Sequence, residues 1–133
     1  MPRKESLYPK DWFRIGEKEI RRAENLLRLE DLEGAGFNIQ QAIEKYLKGF
    51  LLFNGWPLRR IHKLDSLLND AVIYEPSLEM FRTACLKMSE YYVEERYPSM
   101  ARSELEREEI QESLEIAKTI IEKIKSLTHF NSK

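Results

Sequence analysis

The chain holds a single cysteine, Cys85, among its 133 residues, which excludes a disulfide framework and a cysteine-rich metal site. Apolar residues flank Cys85 at helical spacing, which suits a small buried hydrophobe rather than a reactive thiol. Histidine is almost as scarce, with only His62 and His129. They form no His-x-x-x-His pair and no Glu-x-x-His signature, which argues against a ferritin-like metal bundle, and no metal or other cofactor is expected. A glycine-rich phosphate loop and a nucleophile elbow are also missing. No apolar run approaches the roughly 18 residues that would cross a membrane, and no signal-peptide pattern opens the chain. A cytoplasmic protein without membrane contact is the expectation. With a net charge of −1, overall electrostatics speak neither for nor against nucleic acid. Any RNA contact must come from a local basic cluster.

What is present is helical periodicity, clearest between Phe37 and Leu68. Ile39, Ile43, Tyr46, Phe50 and Phe53 recur in steps of three and four, and Ala42, Leu47 and Leu51 widen the stripe. Gln40, Gln41, Glu44, Lys45 and Lys48 leave only a narrow polar strip, so this helix, from about Ala35 to Asn54, is central to a bundle. Asn54-Gly55-Trp56-Pro57 stops it, with Gly55 as a left-handed cap.

Upstream, Pro9 suits a first helical turn, and Trp12, Gly16, Ile20, Ala23 and Leu27 mark one face of a helix from about Pro9 to Leu32. Glu33-Gly34-Ala35-Gly36 is expected to break it, with Gly34 as the cap. Downstream comes a short helix near His62–Ala71, carrying Leu64, Leu67 and Leu68. A turn at Tyr74–Ser77 follows, with Ser77 as the N-cap of a helix that runs to about Tyr92. Pro98 disfavours a helical Tyr97. Ser103–Glu106 has the form of a capping box opening a last helix with Ile110, Leu114, Ala117, Ile121 and Ile124 on one face. The expected fold is all-α, an up-and-down four-helix bundle with one short extra helix, in a single domain over 1–133 with its core at about 9–127.

Three features bear on chemistry. Arg59-Arg60-Ile61-His62-Lys63, beside Trp56, could hold a phosphate and stack a base, or could be a solvated loop. Gln41, Lys45 and Lys48 could line a cleft or an oligomer interface, or could be the exposed side of their helix. Arg96-Tyr97-Pro98, beside Tyr91 and Tyr92, could contact phosphate or stabilise developing negative charge, or Arg96 could cap helix carbonyls. The many carboxylates near the last helix, Glu104 to Glu115, alternate with Arg102, Arg107 and Lys118 and read as a solvated face.

Taken in order, these features resemble the HEPN domain family (higher eukaryotes and prokaryotes nucleotide-binding). Ala35 to Gly49 resembles its central-helix signature, Gly55 with Ile61-His62-Lys63-Leu64 its glycine and "THDL"-like step, and Tyr92 with Arg96-Tyr97-Pro98 its late "Y…RYP" element. The resemblance implies a four-helix bundle, commonly a homodimer. Small stand-alone members are often encoded beside a minimal nucleotidyltransferase, as the halves of a toxin–antitoxin-like module. Many members are metal-independent ribonucleases in which an Arg-x(4–6)-His motif from both protomers supports attack by the RNA 2′-hydroxyl on the adjacent phosphate.

Here the sequence departs from the family. After Arg96, the positions for that histidine hold Ala101, Arg102 and Ser103. Neither His62 nor His129 has an arginine at the matching distance before it. Losing such an acid–base group removes a rate factor on the order of 10²–10⁴. The resemblance therefore implies a dimeric nucleotide- or RNA-phosphate-binding module, with Arg96, Tyr97, Arg102, Lys45 and Lys48 as the candidate phosphate contacts. Gln41 and His62 would lie at the cleft, and a minimal nucleotidyltransferase is the expected partner. The alternatives are a divergent ribonuclease, using Arg96 with Arg102 or with a recruited His62, and a purely structural interaction protein.

Overall fold

The computed structural model describes residues 5–96 and 105–129, apart from the side chains of residues 92–96. Among the described residues every regular element is helical: α1 (Pro9–Arg28), α2 (Leu32–Phe53), α3 (Leu64–Tyr74), a 3-10 segment (Pro76–Phe81), α4 (Arg82–Arg96) and α5 (Arg107–Leu127). This is the expected all-α arrangement, with α3 as the short extra helix. Helix α2 contacts all four other helices, as its broad apolar stripe requires. Ile20, Ile39, Leu67, Met88 and Ile121, one from each helix, meet in one apolar cluster.

Helix α1 buries Trp12, Gly16, Ile20, Ala23 and Leu27, the face that its spacing marks out. It lies so close to α2 that a Cβ at Gly16 would come 2.6 Å from the Tyr46 ring. Phe13 stacks on that same ring, with centroids 5.3 Å apart. The Tyr46 hydroxyl donates to Glu17 Oε1 at 3.1 Å, and burial followed by that carboxylate holds the phenol above its ordinary pKa.

Several boundaries differ from expectation. Helix α1 ends at Arg28 rather than Leu32, and the break is at Leu29–Asp31. Glu30 takes the left-handed conformation (φ 65°), while Asp31 N–H donates to Leu26 C=O and Glu30 N–H to Leu27 C=O. Gly34 does not end α1. It lies in the first turn of α2, where its N–H donates to the capping side chain of Asp31. Ser77 does not cap α4 either: its hydroxyl donates to Glu75 Oε2, and the 3-10 segment runs on into α4. The last helix starts at Arg107 with Glu106 at its N-cap and no side-chain cap; Ser103 and Glu104 lie outside the described residues. Gly55 does terminate α2 as expected. It has φ 90°, and the bonds from Trp56 N–H to Leu51 C=O and from Gly55 N–H to Leu52 C=O complete the cap.

Candidate functional site

The cap at Gly55 turns the chain back along α2. Trp56 is buried, and its indole N–H donates to Asp70 Oδ2 at 2.9 Å, which pins the loop to α3. Leu58 and Ile61 pack on the core while Arg59, Arg60, His62 and Lys63 are exposed. That alternation brings His62 over the middle of α2.

There it meets Glu44. His62 Nδ1 lies 2.9 Å from Glu44 Oε2, and Lys48 Nζ lies 3.2 Å from the same oxygen. Glu44 and Lys48 stand one helical turn apart, so their side chains share a side of α2. Both are buried, at 3% and 1% exposure, whereas the His62 side chain is 63% exposed. Lys48 also sits 5.3 Å from the centre of the Trp12 ring, where the ring face attracts its charge. Lys45 Nζ donates to Gln41 Oε1 at 2.9 Å and stands 4.0 Å from Glu44 Oε2. Gln41, Glu44, Lys45 and His62 line an open hollow of about 220 Å³.

The polar strip of α2 is therefore not simply an exposed side. Gln40, Glu44 and Lys48 turn inward, and Gln40 Oε1 is buried with no hydrogen-bond partner among the described residues. Lys48 is held inside by Glu44, whereas Lys45 stands at the edge of the hollow. Glu44, the hub of the cluster, is the residue that sequence patterning passes over. Its one signal is the Glu44–Lys48 spacing on an otherwise apolar helix.

The hydrogen bonds assign the imidazole tautomer. Nδ1 is 2.9 Å from a carboxylate oxygen and 3.4 Å from the Lys48 ammonium, which carries only donors. The shorter contact requires a proton on Nδ1, donated to Glu44. Nε2 is left on the solvent side.

Arg96 is the last residue of α4. Its side chain, Tyr97 and Arg102 lie outside the described residues, as does the side chain of Tyr92. The path of α4 still separates Arg96 from His62 within one chain. Arg82, at the start of α4, donates to Asp65 C=O near His62, whereas Tyr91 packs on Gly36. Gly36 is eight residues of helix from Glu44, about 12 Å of rise, and Arg96 continues about 7 Å beyond Tyr91.

Burial pushes the Cys85 thiol up to about 12, so it carries no thiolate at neutral pH. Among the described residues no three metal-ligating side chains gather, and no helix is long and apolar enough to cross a membrane.

Comparison with known proteins sets this geometry in a family. No functionally curated protein matches the chain. The crystal structure of TT1696 from Thermus thermophilus is similar over 89% of this chain and 96% of that one, with 28% identity and a TM-score of 0.80. The structure of ST0689, an archaeal HEPN homologue, is similar over 92% and 98%, with 23% identity and a TM-score of 0.75, which speaks for the fold alone. The family model described as HEPN domain matches residues 9–127, nearly all of the helical bundle, and the chain belongs to the HEPN domain family.

Proposed function

We propose that this HEPN protein is a dimeric, cytoplasmic binding module that holds a nucleotide or RNA phosphate and works beside a minimal nucleotidyltransferase in a toxin–antitoxin-like pair. The observation that carries the reading is family membership across residues 9–127 combined with the residues after Arg96, where the family's ribonucleases place a histidine and this chain has Ala101, Arg102 and Ser103. Binding survives the loss of a proton-transfer group; cleavage loses most of its rate. Arg96 and Arg102 supply guanidinium groups for phosphate, and Tyr97 shapes or stacks on the ligand. Lys45, at the edge of the hollow with Gln41, offers the ammonium that Lys48 cannot. A ribonuclease built on Arg96 and His62 would need them from different protomers, given their separation along α4.

The test is thermal melting with millimolar ATP or a short RNA, beside light scattering for the oligomeric state. A ligand at about 100 times its Kd stabilises by about 2.7 kcal/mol, a clear rise in Tm. The rise is expected to vanish in Arg96→Ala and to shrink in Lys45→Ala. No rise at millimolar nucleotide, or a strictly monomeric protein, overturns the reading. Cleavage of labelled RNA with chelator present, lost in Arg96→Ala, would replace it with the ribonuclease.

A further inference from the structure

We propose that His62 is a phosphoryl-acceptor residue, taking a phosphoryl group on Nε2 from a high-energy donor of the acyl phosphate or phosphoramidate class. The reading does not depend on phosphate binding at Arg96.

Three observations converge on His62. Its Nδ1 is fixed by a hydrogen bond of 2.9 Å to a carboxylate that is itself buried, since Glu44 is only 3% exposed. Its side chain is nevertheless 63% exposed, and in the neutral ring with its proton on Nδ1 the lone pair lies on the other nitrogen, Nε2. Lys45 stands at the same hollow, 4.0 Å from Glu44 and not buried, where an incoming phosphoryl oxygen meets positive charge. An exposed histidine with no structural task is ordinary. One whose ring is oriented by a buried ion pair, with its nucleophilic nitrogen turned outward, is a nucleophile activated by a second residue.

The shape of the site favours an acceptor over a hydrolytic centre. A site that processes a small molecule encloses most of it in a pocket of roughly 300–1,000 Å³. This hollow is open, about 220 Å³, and lined by four residues. An acceptor needs approach from one side only.

The step balances without any further reactant. The Nε2 lone pair attacks phosphorus, an N–P bond forms, and the P–O bond to the acyl group (or the P–N bond of a phosphoramidate) breaks. The leaving group departs as a carboxylate, or as an amine that takes a proton from water. No proton leaves the ring, so the phosphorylated imidazole carries a positive charge next to its Nδ1–H. Glu44 is placed to offset that charge, and Lys45 to offset the phosphoryl dianion.

The experiment uses the full chain and potassium phosphoramidate as the probe, read by intact mass, site mapping and phosphorus NMR. His129, exposed near the end of α5, is the internal control. His62 is expected to be labelled at least about tenfold faster than His129, the effect of one hydrogen bond to a charged group. The label is expected on Nε2, because Glu44 occupies Nδ1. Glu44→Gln is expected to reduce the His62 rate toward that of His129. Because this variant disturbs a buried pair, Lys45→Met, at the rim, serves as a second one that keeps the fold and also slows labelling. His62→Gln removes the label from that site. Equal labelling of the two histidines, or a label on Nδ1 of His62, overturns the proposal.

Discussion

Among the described residues, exposed and buried ion pairs stand in contrast. Along the exposed sides of α1, the turn after it and α5 the exposed ones form a ladder: Arg14 with Asp11 at 2.7 Å, Arg107 with Glu30 at 3.1 Å, Lys118 with Glu24 at 2.5 Å. In the middle of α2, Lys48 meets Glu44 at 3.2 Å, with side chains only 2% and 4% exposed. By distance alone these three surface pairs are the better ones. Burial reverses the ranking of what breaking them costs. A surface charge that loses its partner gains water, whereas Glu44 without Lys48 would keep a negative charge inside the bundle, with His62 and the more distant Lys45 beside it.

Replacing Lys48 with Met gives the largest effect expected of any single ion-pair change here. Met fills much of the same volume but leaves Glu44 without its buried counterion. The expected loss is about 3 kcal/mol, measured by denaturant unfolding. Adding Glu44→Gln to Lys48→Met is expected to recover a large part of that loss, because removing both charges removes the desolvation problem that one alone creates. A single-variant loss below about 1 kcal/mol would mean that the two regions do not differ in the way their burial implies.

The second prediction concerns Glu30, which joins the surface ladder through Arg107 while sitting at φ 65°. A left-handed residue with a Cβ costs roughly 1–2 kcal/mol, and glycine avoids most of that. Glu30→Gly forfeits an ion pair whose partners are 64% and 47% exposed, an interaction of at most about 1 kcal/mol. The balance is a net gain of about 0.5 kcal/mol, read as a higher denaturation midpoint at unchanged slope. A net loss would show that this surface pair outweighs the backbone it rests on. Arg107 also donates to Leu27 C=O at 2.9 Å, so that end of α1 stays capped in the variant.

The same contrast explains what was legible in the sequence. The face of α1 and the breadth of α2 follow from apolar spacing, and spacing survives folding unchanged. The turn after α1 does not follow, because glycine is the expected left-handed residue and Gly34 stands close by. The chain instead bends at Glu30, where Arg107, far away in sequence, contacts both Glu30 and the end of α1. At the candidate site, Gln41, Lys45 and His62 are visible as polar residues in unusual places, and the fold gathers them at one hollow. The sequence leaves Lys48 open between a cleft and an exposed side, and gives Glu44 only a place in the polar strip, for a physical reason. A Glu and a Lys four apart on a helix normally mark its wet side. Tertiary contacts, the loop returning from Gly55 with Trp56 anchored on Asp70 and Trp12 of α1 against Lys48, put this pair under cover.

The smallest effect belongs to Lys118, which pairs with Glu24 across α5 and α1. The hydrogen bond to the Glu24 carboxylate holds the Lys118 pKa above its ordinary value, against the opposing effect of burial. A group whose pKa is raised by folding stabilises the native state below its unfolded value and stops doing so as pH rises through the folded value. The contribution is therefore present at neutral pH and lost only above about pH 10.4, the ordinary lysine range. With side chains 43% and 34% exposed, solvent screening reduces it to a few tenths of a kcal/mol. Lys118→Met is expected to cost that amount in dilute salt and almost nothing at about 1 M salt, where the screening length falls to about 3 Å. The Lys48→Met loss is expected to persist at the same salt, because ions do not enter the space between Lys48 and Glu44. Equal salt sensitivity in the two variants would mean that water reaches the α2 pair, and the division between wet and dry ion pairs in this bundle would fall.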